Sequence, residues 1–264
     1  MHAAAFAAAG IAGSYEAFDV APDALPAFLS RARSELDGFN VTVPHKVAVV
    51  RALDAIDAHA STIGAVNTVR VVAGRLEGTN TDAPGFIRSL LHAGIDAKGS
   101  DVLVLGAGGA ARAAIVGLAN AGTRRIAVSA RRAEAELALV RDLVDRGVTR
   151  STLSCWSSAS PPAFSPDLVV NASSAGMGVQ AGSGEFERLV ATFSTLPWDR
   201  ARFAADLVYV PGATAFLAAA AAAGVRGENG LSMLAAQGAL AFEAWTGVPS
   251  DRVVDAMRRT LPPA

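Results

Sequence analysis

Lys46 and Asp82 are the residues whose types and positions suggest proton transfer. Lys46 is the only lysine in the first 97 residues, and it follows an alternating β-type run, FNVTV (39–43), that Pro44 ends. Asp82 closes the sequence TNTD (79–82) after a predicted hairpin. A lysine that a neighbouring carboxylate orients can donate a proton to an oxygen that is being reduced. Spacing alone favours a simpler interpretation, a surface lysine and a strand-end cap.

A glycine-rich loop, LGAGGAAR (105–112), is the second group with chemical meaning. Gly106, Gly108 and Ala111 form a G-x-G-x-x-A pattern that follows an apolar strand and opens a helix. The glycines permit a tight turn and a close approach to a pyrophosphate, which the free N–H groups of the helix stabilise. A tight strand–helix turn without a ligand is the alternative, and the context favours a dinucleotide.

The end of the next strand indicates which dinucleotide is bound. NAD sites usually place Asp or Glu there to hold the ribose 2′-hydroxyl. This chain has Ala130, Arg131 and Arg132 instead, and guanidinium groups match a 2′-phosphate. The sequence therefore predicts NADP, although Glu134 is near enough to keep NAD possible.

The elements that carry these residues alternate between strands and helices. Before residue 100 we predict helices at the start and at 22–37, 45–64 and 84–95, strands at 15–20 and 39–43, and a hairpin over 65–82. Beyond it we predict strands near 101, 124, 167 and 203, helices between them, and a helical end over 231–259. Strands that alternate with helices predict a parallel sheet covered on both faces. The predicted fold is α/β with two domains, one of them a Rossmann-type doubly wound NADP-binding domain.

Composition narrows the function classes. The net charge of -1 and the pI of about 6.4 argue against a nucleic-acid binder. No apolar run reaches the ~18 residues that span a bilayer, and the apolar start lacks the basic region of a signal peptide. Cys155 is the single cysteine, which fits a reducing, cytoplasmic compartment and an inert thiol. The four histidines show no metal-ligand spacing, so we predict no metal, and we interpret His45 and Asp206 as structural.

Seven blocks of the chain together resemble a known family. They are FNVTVPHK, AVNTV, GTNTDAPGF, GAGGAAR, NASSAGM, DLVYVPGAT and NGLSMLAAQGA, and they occur in the order and spacing of the shikimate dehydrogenase family. The resemblance implies reversible NADPH-dependent reduction of 3-dehydroshikimate to shikimate, in aromatic amino-acid biosynthesis, by a monomer or homodimer. A quinate/shikimate dehydrogenase that uses NAD(P) and a non-catalytic cofactor-binding paralogue are the alternatives.

The resemblance also implies roles for individual residues. Lys46 and Asp82 match the catalytic lysine and its aspartate. The residues that match substrate-binding positions are Thr42, Asn67, Asp82, Tyr209 and Gln237. Those that match cofactor-binding positions are Gly106, Ala107, Gly108, Gly109 and Ala110 at the diphosphate, Ala130, Arg131 and Arg132 at the 2′-phosphate, and Gly230 and Met233 beside the nicotinamide. The family's Asn-Arg-Thr motif keeps its arginine here and loses its asparagine.

The resemblance further implies a division of the chain into lobes. Residues 1–82 and 230–264 would form the shikimate-binding domain, and residues 83–229 the NADP-binding domain. The family pattern begins with a strand and an S-x-S loop that stand before the position of Met1. We therefore expect the natural protein to start earlier, because that loop supplies serines for the substrate carboxylate and that strand lies inside the first sheet.

Overall fold

The computed structural model describes residues 1–150, 152–156 and 164–262. The helices are α1 (His2–Ala9), α2 (Leu25–Glu35), α3 (His45–Ala48), α4 (Ala58–Ile63), α5 (Asp82–His92), α6 (Gly109–Asn120), α7 (Ala133–Asp145), α8 (Gly184–Ser194), α9 (Ala215–Ala222), α10 (Leu231–Thr246) and α11 (Val254–Arg258). The strands are β1 (Gly38–Asn40), β2 (Ala55–Ile56), β3 (Thr68–Val72), β4 (Arg75–Thr79), β5 (Asp101–Leu105), β6 (Arg125–Ser129), β7 (Leu153–Cys155), β8 (Leu168–Asn171), β9 (Phe203–Asp206) and β10 (Gly227–Glu228).

The larger sheet has six parallel strands in the order β10-β9-β8-β5-β6-β7. The chain winds outward from β5 in one direction and then restarts at β8 on the other side, which is the strand order of a Rossmann domain. Every residue of β5 is buried, as a central strand covered on both faces requires. The predicted α/β class with a Rossmann-type domain is confirmed. The reversal between β5 and β8 opens a crevice at their carboxyl ends, where the glycine-rich loop lies.

The smaller sheet has four strands in the order β1-β3-β4-β2. The predicted hairpin is confirmed: β3 and β4 pair antiparallel, and the turn uses Ala73 and Gly74, both with positive φ. Helix α2 covers this sheet with an apolar face that includes Leu29 and Ala32. The C-terminal helix α10 also contacts the smaller sheet: the indole nitrogen of Trp245 donates to the carbonyl oxygen of Val69 at 2.9 Å.

The predicted strand at 15–20 is wrong. This segment is extended but pairs with no strand among the described residues, and Tyr15 and Phe18 stay 45% exposed. It forms one wall of an open groove of about 750 Å³ whose other wall is β1 and residues 41–45. Strand β1 lies at the edge of its sheet. The groove separates it from residues 15–20, so this segment does not pair with β1 although its residue types are typical of a strand.

The single helix predicted over 45–64 is also wrong. Helix α3 passes into a short 3-10 turn, after which the chain extends as β2 and pairs parallel with β4. Asp54 fixes that extension because its carboxylate accepts from the backbone N–H of Leu76 at 2.7 Å. Asp57 then caps α4 by accepting from the N–H of Ala60. Both aspartates lie within a run whose apolar residues have helical spacing. Their hydrogen bonds to backbone N–H groups end the first helix and start a new one, so the run does not form a single helix.

No helix in the described ranges is long and apolar enough to cross a bilayer.

Candidate active site

Lys46 and Asp82 form the central ion pair of the site. The Nζ of Lys46 donates to Oδ2 of Asp82 at 2.6 Å, with the lysine side chain 17% exposed and the aspartate 5%. Lys46 lies in the first turn of α3, two residues after Pro44, and Asp82 is the first residue of α5. A carboxylate at a helix N-terminus is stabilised by the helix dipole. The Lys46 ammonium is therefore held against a fixed carboxylate while it keeps limited access to water.

Asn67 fixes the second oxygen of Asp82. Its Nδ2 donates to Oδ1 of Asp82 at 2.9 Å and to Oγ1 of Thr81 at 2.9 Å, while its Oδ1 accepts from the N–H of Thr81 at 2.7 Å. Asn67 and Asp82 are both buried. Because both ends of the amide are used, the orientation of Asn67 is determined, and the Asp82 carboxylate has little freedom to rotate.

Gln237 reaches the same cluster from α10. Its Oε1 lies 3.4 Å from the Nδ2 of Asn67 and 3.5 Å from the Oγ1 of Thr81. Gly85 makes this approach possible, because a Cβ on Gly85 would lie 2.7 Å from the Cβ of Gln237. Four predicted site residues, Lys46, Asp82, Asn67 and Gln237, are thus joined by hydrogen bonds.

Thr42 and Tyr209 do not join this hydrogen-bonded cluster. Thr42 is exposed, and among the described residues its hydroxyl donates only to the neighbouring carbonyl of Val43, at 3.3 Å. Tyr209 is 38% exposed, on the loop that follows β9. Both hydroxyl-bearing side chains are therefore exposed to solvent.

The glycine-rich loop has the geometry that a diphosphate needs. Gly106 has φ 116°, and a Cβ there would lie 2.8 Å from the carbonyl oxygen of Ala172. Gly108 precedes α6, and a Cβ on it would meet nothing within 4 Å, so the space above it is open. No side chain of the described residues caps α6, which leaves the N–H groups of Gly109 and Ala110 available to an anion. Ala107, between the glycines, packs on the core below. These residues fit a dinucleotide diphosphate.

The ion pair and the glycine-rich loop lie next to each other. A Cβ on Gly109 would lie 3.3 Å from the Cβ of Lys46 and 3.9 Å from that of Ala65. The lysine stem therefore packs on the first turn of α6, at the mouth of the crevice between β5 and β8. The ammonium-bearing side chain of α3 and the uncapped N-terminus of α6 therefore meet at this point.

The residues after β6 lie where the sequence analysis expects the adenosine end of a dinucleotide. Arg131 and Arg132 are exposed, and neither has a carboxylate within ion-pair distance among the described residues. The N–H of Ala130 donates to Oε2 of Glu136 at 3.1 Å. Glu134, which sequence reasoning selected as the carboxylate near this turn, is exposed, whereas Glu136 is buried and faces it.

Gly230 and Met233 lie where α10 begins. A Cβ on Gly230 would lie 2.5 Å from the carbonyl oxygen of Leu207, so only glycine permits this contact. Met233 is half-buried and, with Asp206, lines a cavity of about 20 Å³, room for one water molecule. Asp206 is buried and accepts from Asn171, Thr214 and the N–H of Val208. Burial raises the pKa of Asp206 to about 6, although these three hydrogen bonds oppose the rise.

Sequence reasoning missed three buried polar residues that support the cluster. Asn80 accepts from the N–H groups of Asp82 and Ala83 and so caps α5, and Thr68 and Thr81 hydrogen bond to each other and to Asn67. The sequence feature that could have identified them is the high proportion of Asn and Thr in AVNTV and GTNTD, which is more than the strands and turn of a hairpin require. His45 instead bonds to the carbonyl of Val20 at 2.7 Å, away from the ion pair. Within the described ranges, no three His, Cys, Asp or Glu side chains come together as metal ligands would.

Comparisons with known proteins agree with this geometry. Residues 1–69 match the model of the shikimate dehydrogenase substrate binding domain, and residues 230–261 that of the shikimate 5'-dehydrogenase C-terminal domain. The shikimate dehydrogenase (NADP(+)) of Citrifermentans bemidjiense is 41% identical over 271 residues, which cover 99% of this chain and 91% of that protein.

Solved structures give the same result. Shikimate 5-dehydrogenase from Thermus thermophilus, in complex with NADP(H) and shikimate, has a TM-score of 0.82 and 40% identity, with 98% of this chain and 93% of that chain covered. The 5-ketofructose reductase of Gluconobacter sp. strain CHM43 has a TM-score of 0.78 and 33% identity, with 98% and 92% covered.

Proposed function

The chain belongs to the shikimate dehydrogenase family, and on that premise we propose how its residues perform the reaction. The enzyme is an NADP-dependent oxidoreductase that interconverts 3-dehydroshikimate and shikimate. Lys46 and Asp82 are its acid–base pair. The observation that carries this assignment is the 2.6 Å contact between their side chains, beside the first turn of the helix that the glycine-rich loop opens.

The proton step follows from the positions of these two side chains. NADPH, when bound, supplies the hydride. The Lys46 ammonium donates its proton to the oxygen that changes from carbonyl to hydroxyl, which prevents negative charge from building up there. Asp82 holds the ammonium in place and offers a carboxylate oxygen to a substrate hydroxyl. Lys46 then recovers a proton from water, because its side chain is 17% exposed.

The substrate is an anion with several hydroxyl groups, so polar donors and acceptors must surround it. Asn67 and Gln237 extend the fixed cluster around Asp82, and Thr42 and Tyr209 supply hydroxyls that are not committed to it. Hydrogen bonds to a charged group contribute about 1.5–3 kcal/mol each. On this assignment residues 1–82 and 230–264 form the substrate domain.

The cofactor would be held by residues 83–229 and the start of α10. The residues assigned to the diphosphate are Gly106, Ala107, Gly108, Gly109 and Ala110; those assigned to the 2′-phosphate are Ala130, Arg131 and Arg132; those assigned to the nicotinamide are Gly230 and Met233. The uncapped α6 and the two exposed arginines support this assignment, since both attract phosphate.

A comparison of substrate and cofactor pairs tests the proposal. Formation of reduced cofactor is measured with shikimate or quinate and with NADP+ or NAD+, and the highest kcat/KM is expected for shikimate with NADP+. Because a 5-ketofructose reductase has a similar structure, oxidation of NADPH by 5-ketofructose is measured in parallel and expected to be slower. Preference for quinate would favour the quinate/shikimate relative. No turnover, together with a higher melting temperature in NADP+, would favour a non-catalytic paralogue.

A further inference from the structure

Glu136 is a buried carboxylate that the mechanism above does not use. It lies in the first turn of α7, only 6% exposed, and its Oε2 accepts from the N–H of Ala130 at 3.1 Å. Burial first, and the negative charge of Glu136 second, raise the pKa of the Cys155 thiol. Among the described residues no cation pairs with Glu136, although burial of a carboxylate without one is unfavourable.

The position of this carboxylate matters because Ala130 is the residue at the end of β6. In a Rossmann domain, that turn contacts the ribose of the adenosine, and its side chains distinguish a 2′-hydroxyl from a 2′-phosphate. Arg131 and Arg132 present two exposed cations there. A carboxylate at this position would oppose them in two ways: its negative charge would repel a phosphate, and the N–H of Ala130 that it occupies would not be available to donate to one.

We propose that Glu136 is a cofactor-selectivity residue whose carboxylate, held against Ala130, weakens the preference for a 2′-phosphate that Arg131 and Arg132 create. The enzyme then accepts NAD as a second cofactor. This inference rests on the proposed function, because it assigns the turn after β6 to the adenosine ribose. Glu134, which is exposed to solvent in the same turn of α7, has no such contact and should contribute little.

The substitution Glu136→Gln tests the role of the charge. Glutamine keeps the size of the side chain and an oxygen that accepts from Ala130, and it loses only the negative charge. Glu134→Gln removes an equal charge from the exposed face and is the matched control. Binding of 2′,5′-ADP and of 5′-AMP is measured by calorimetry, and kcat/KM with shikimate is measured for NADP+ and NAD+.

We expect E136Q to bind 2′,5′-ADP about three- to thirtyfold more tightly, with 5′-AMP almost unchanged, because one unit charge near a solvated phosphate has an effect of this size. The NADP-to-NAD ratio of kcat/KM should rise by a similar factor, and E134Q should stay within about twofold of the wild type.

The proposal would be overturned if the NADP-to-NAD ratio of kcat/KM in E136Q equalled that of E134Q or fell below that of the wild type. Glu136 would then be a structural residue. If E136Q does not fold, Glu136→Ala supplies a second test, since it removes the charge and also frees the N–H of Ala130, and both changes should favour a 2′-phosphate. The fragment-binding data keep this question apart from the proposed function. A shift in 2′,5′-ADP affinity without turnover of shikimate would support the role of Glu136 and contradict only the reaction.

Discussion

Asp82 illustrates how single residues determine this site. One carboxylate oxygen accepts from Lys46 and the other from Asn67, and Asn80 caps the helix that Asp82 begins. Buried polar groups with complete hydrogen bonding hold one geometry, and an unsatisfied one costs about 1–3 kcal/mol. The same reasoning applies to Asp206, whose three hydrogen bonds join β8 to both ends of the loop that carries Tyr209.

Asp206 predicts a specific dependence of stability on pH. Burial raises its pKa from 3.8 to about 6. The folded state therefore binds more protons than the unfolded state between these values, and the contribution of Asp206 to the free energy of unfolding falls as pH rises through this window. An asparagine at this position does not titrate. The free energy of unfolding of D206N minus that of the wild type should therefore be about 2–3 kcal/mol larger at pH 7 than at pH 4.

Urea denaturation of both proteins at several pH values measures that gain. Asp251→Asn is the control, because the Asp251 side chain is 92% exposed and should give no such trend. A difference between D206N and wild type that stays constant with pH would contradict a raised pKa for Asp206.

At the residue scale the sequence could predict the ion pair but not its supports. Lys46 and Asp82 carry the charges that the chemistry needs, so residue type and the family pattern identify them. Glu136 could not be chosen over Glu134 from the sequence, since both lie in the first turn of α7 and only packing decides which one is buried. Contacts of that kind depend on the tertiary structure.

At the scale of elements, the close packing of α5 on α10 positions the hydrogen-bonded cluster around Asp82. Helix α5 begins with Asp82, and α10 carries Gln237. Gly85 lies between them, where a Cβ would come within 2.7–2.9 Å of the Cβ, N and Cα atoms of Gln237. The glycine in NTDAPG therefore has a packing role, which lets Asp82 and Gln237 belong to one hydrogen-bonded cluster.

Gly85→Ala is expected to separate these helices. Overpacking of this kind costs about 1–3 kcal/mol of stability. The KM for shikimate should rise more than kcat falls, because Gln237 moves away from Asn67 while Lys46 and Asp82 keep their contact. Steady-state kinetics and thermal melting test this. Gly184→Ala is the control, since its Cβ would meet only the flexible end of Arg188 at 3.6 Å. Unchanged KM and stability in G85A would show that the two helices tolerate the methyl group.

Elements with a strong pattern were predictable, and elements that depend on a neighbour were not. The apolar run of β5, the glycine-rich loop and α6 follow from local residue types. Residues 15–20 have the composition of a strand, but a strand forms only beside a partner, and none of the described strands adjoins them. In residues 45–64 the apolar spacing suggested a single helix, and Asp54 and Asp57 redirect the chain.

At the scale of the whole molecule, the important feature is the contact between α4, which packs with the smaller sheet, and helices α6 and α7, which pack with the larger sheet. Arg112 on α6 and Arg146 after α7 donate to the carbonyl oxygens of Ile63 and Ser61 at the end of α4, and Asp142 accepts from both arginines. Cations at a helix C-terminus are favourable. These contacts lie beside the place where Lys46 packs on Gly109, so they help to hold Lys46 next to the glycine-rich loop.

The order of the lobes along the chain stays a prediction from the sequence blocks, each of which lies in a definite element. The convergence of Lys46, Asp82 and Gln237, which are separated by up to 191 positions in the numbering, was not available from spacing alone. It came from the resemblance, and physically it depends on the return of α10 to the first sheet.

The most direct test of the central claim is the single-turnover rate of 3-dehydroshikimate reduction by the Lys46→Met variant at saturating NADPH. Lys98→Met is the matched control, because Lys98 is the other lysine of the chain and is exposed. We predict that K46M loses about 10²–10⁴-fold in rate while it still binds NADP+, and that K98M does not. A K46M rate within about threefold of the wild type would contradict the assignment of Lys46 as the proton donor.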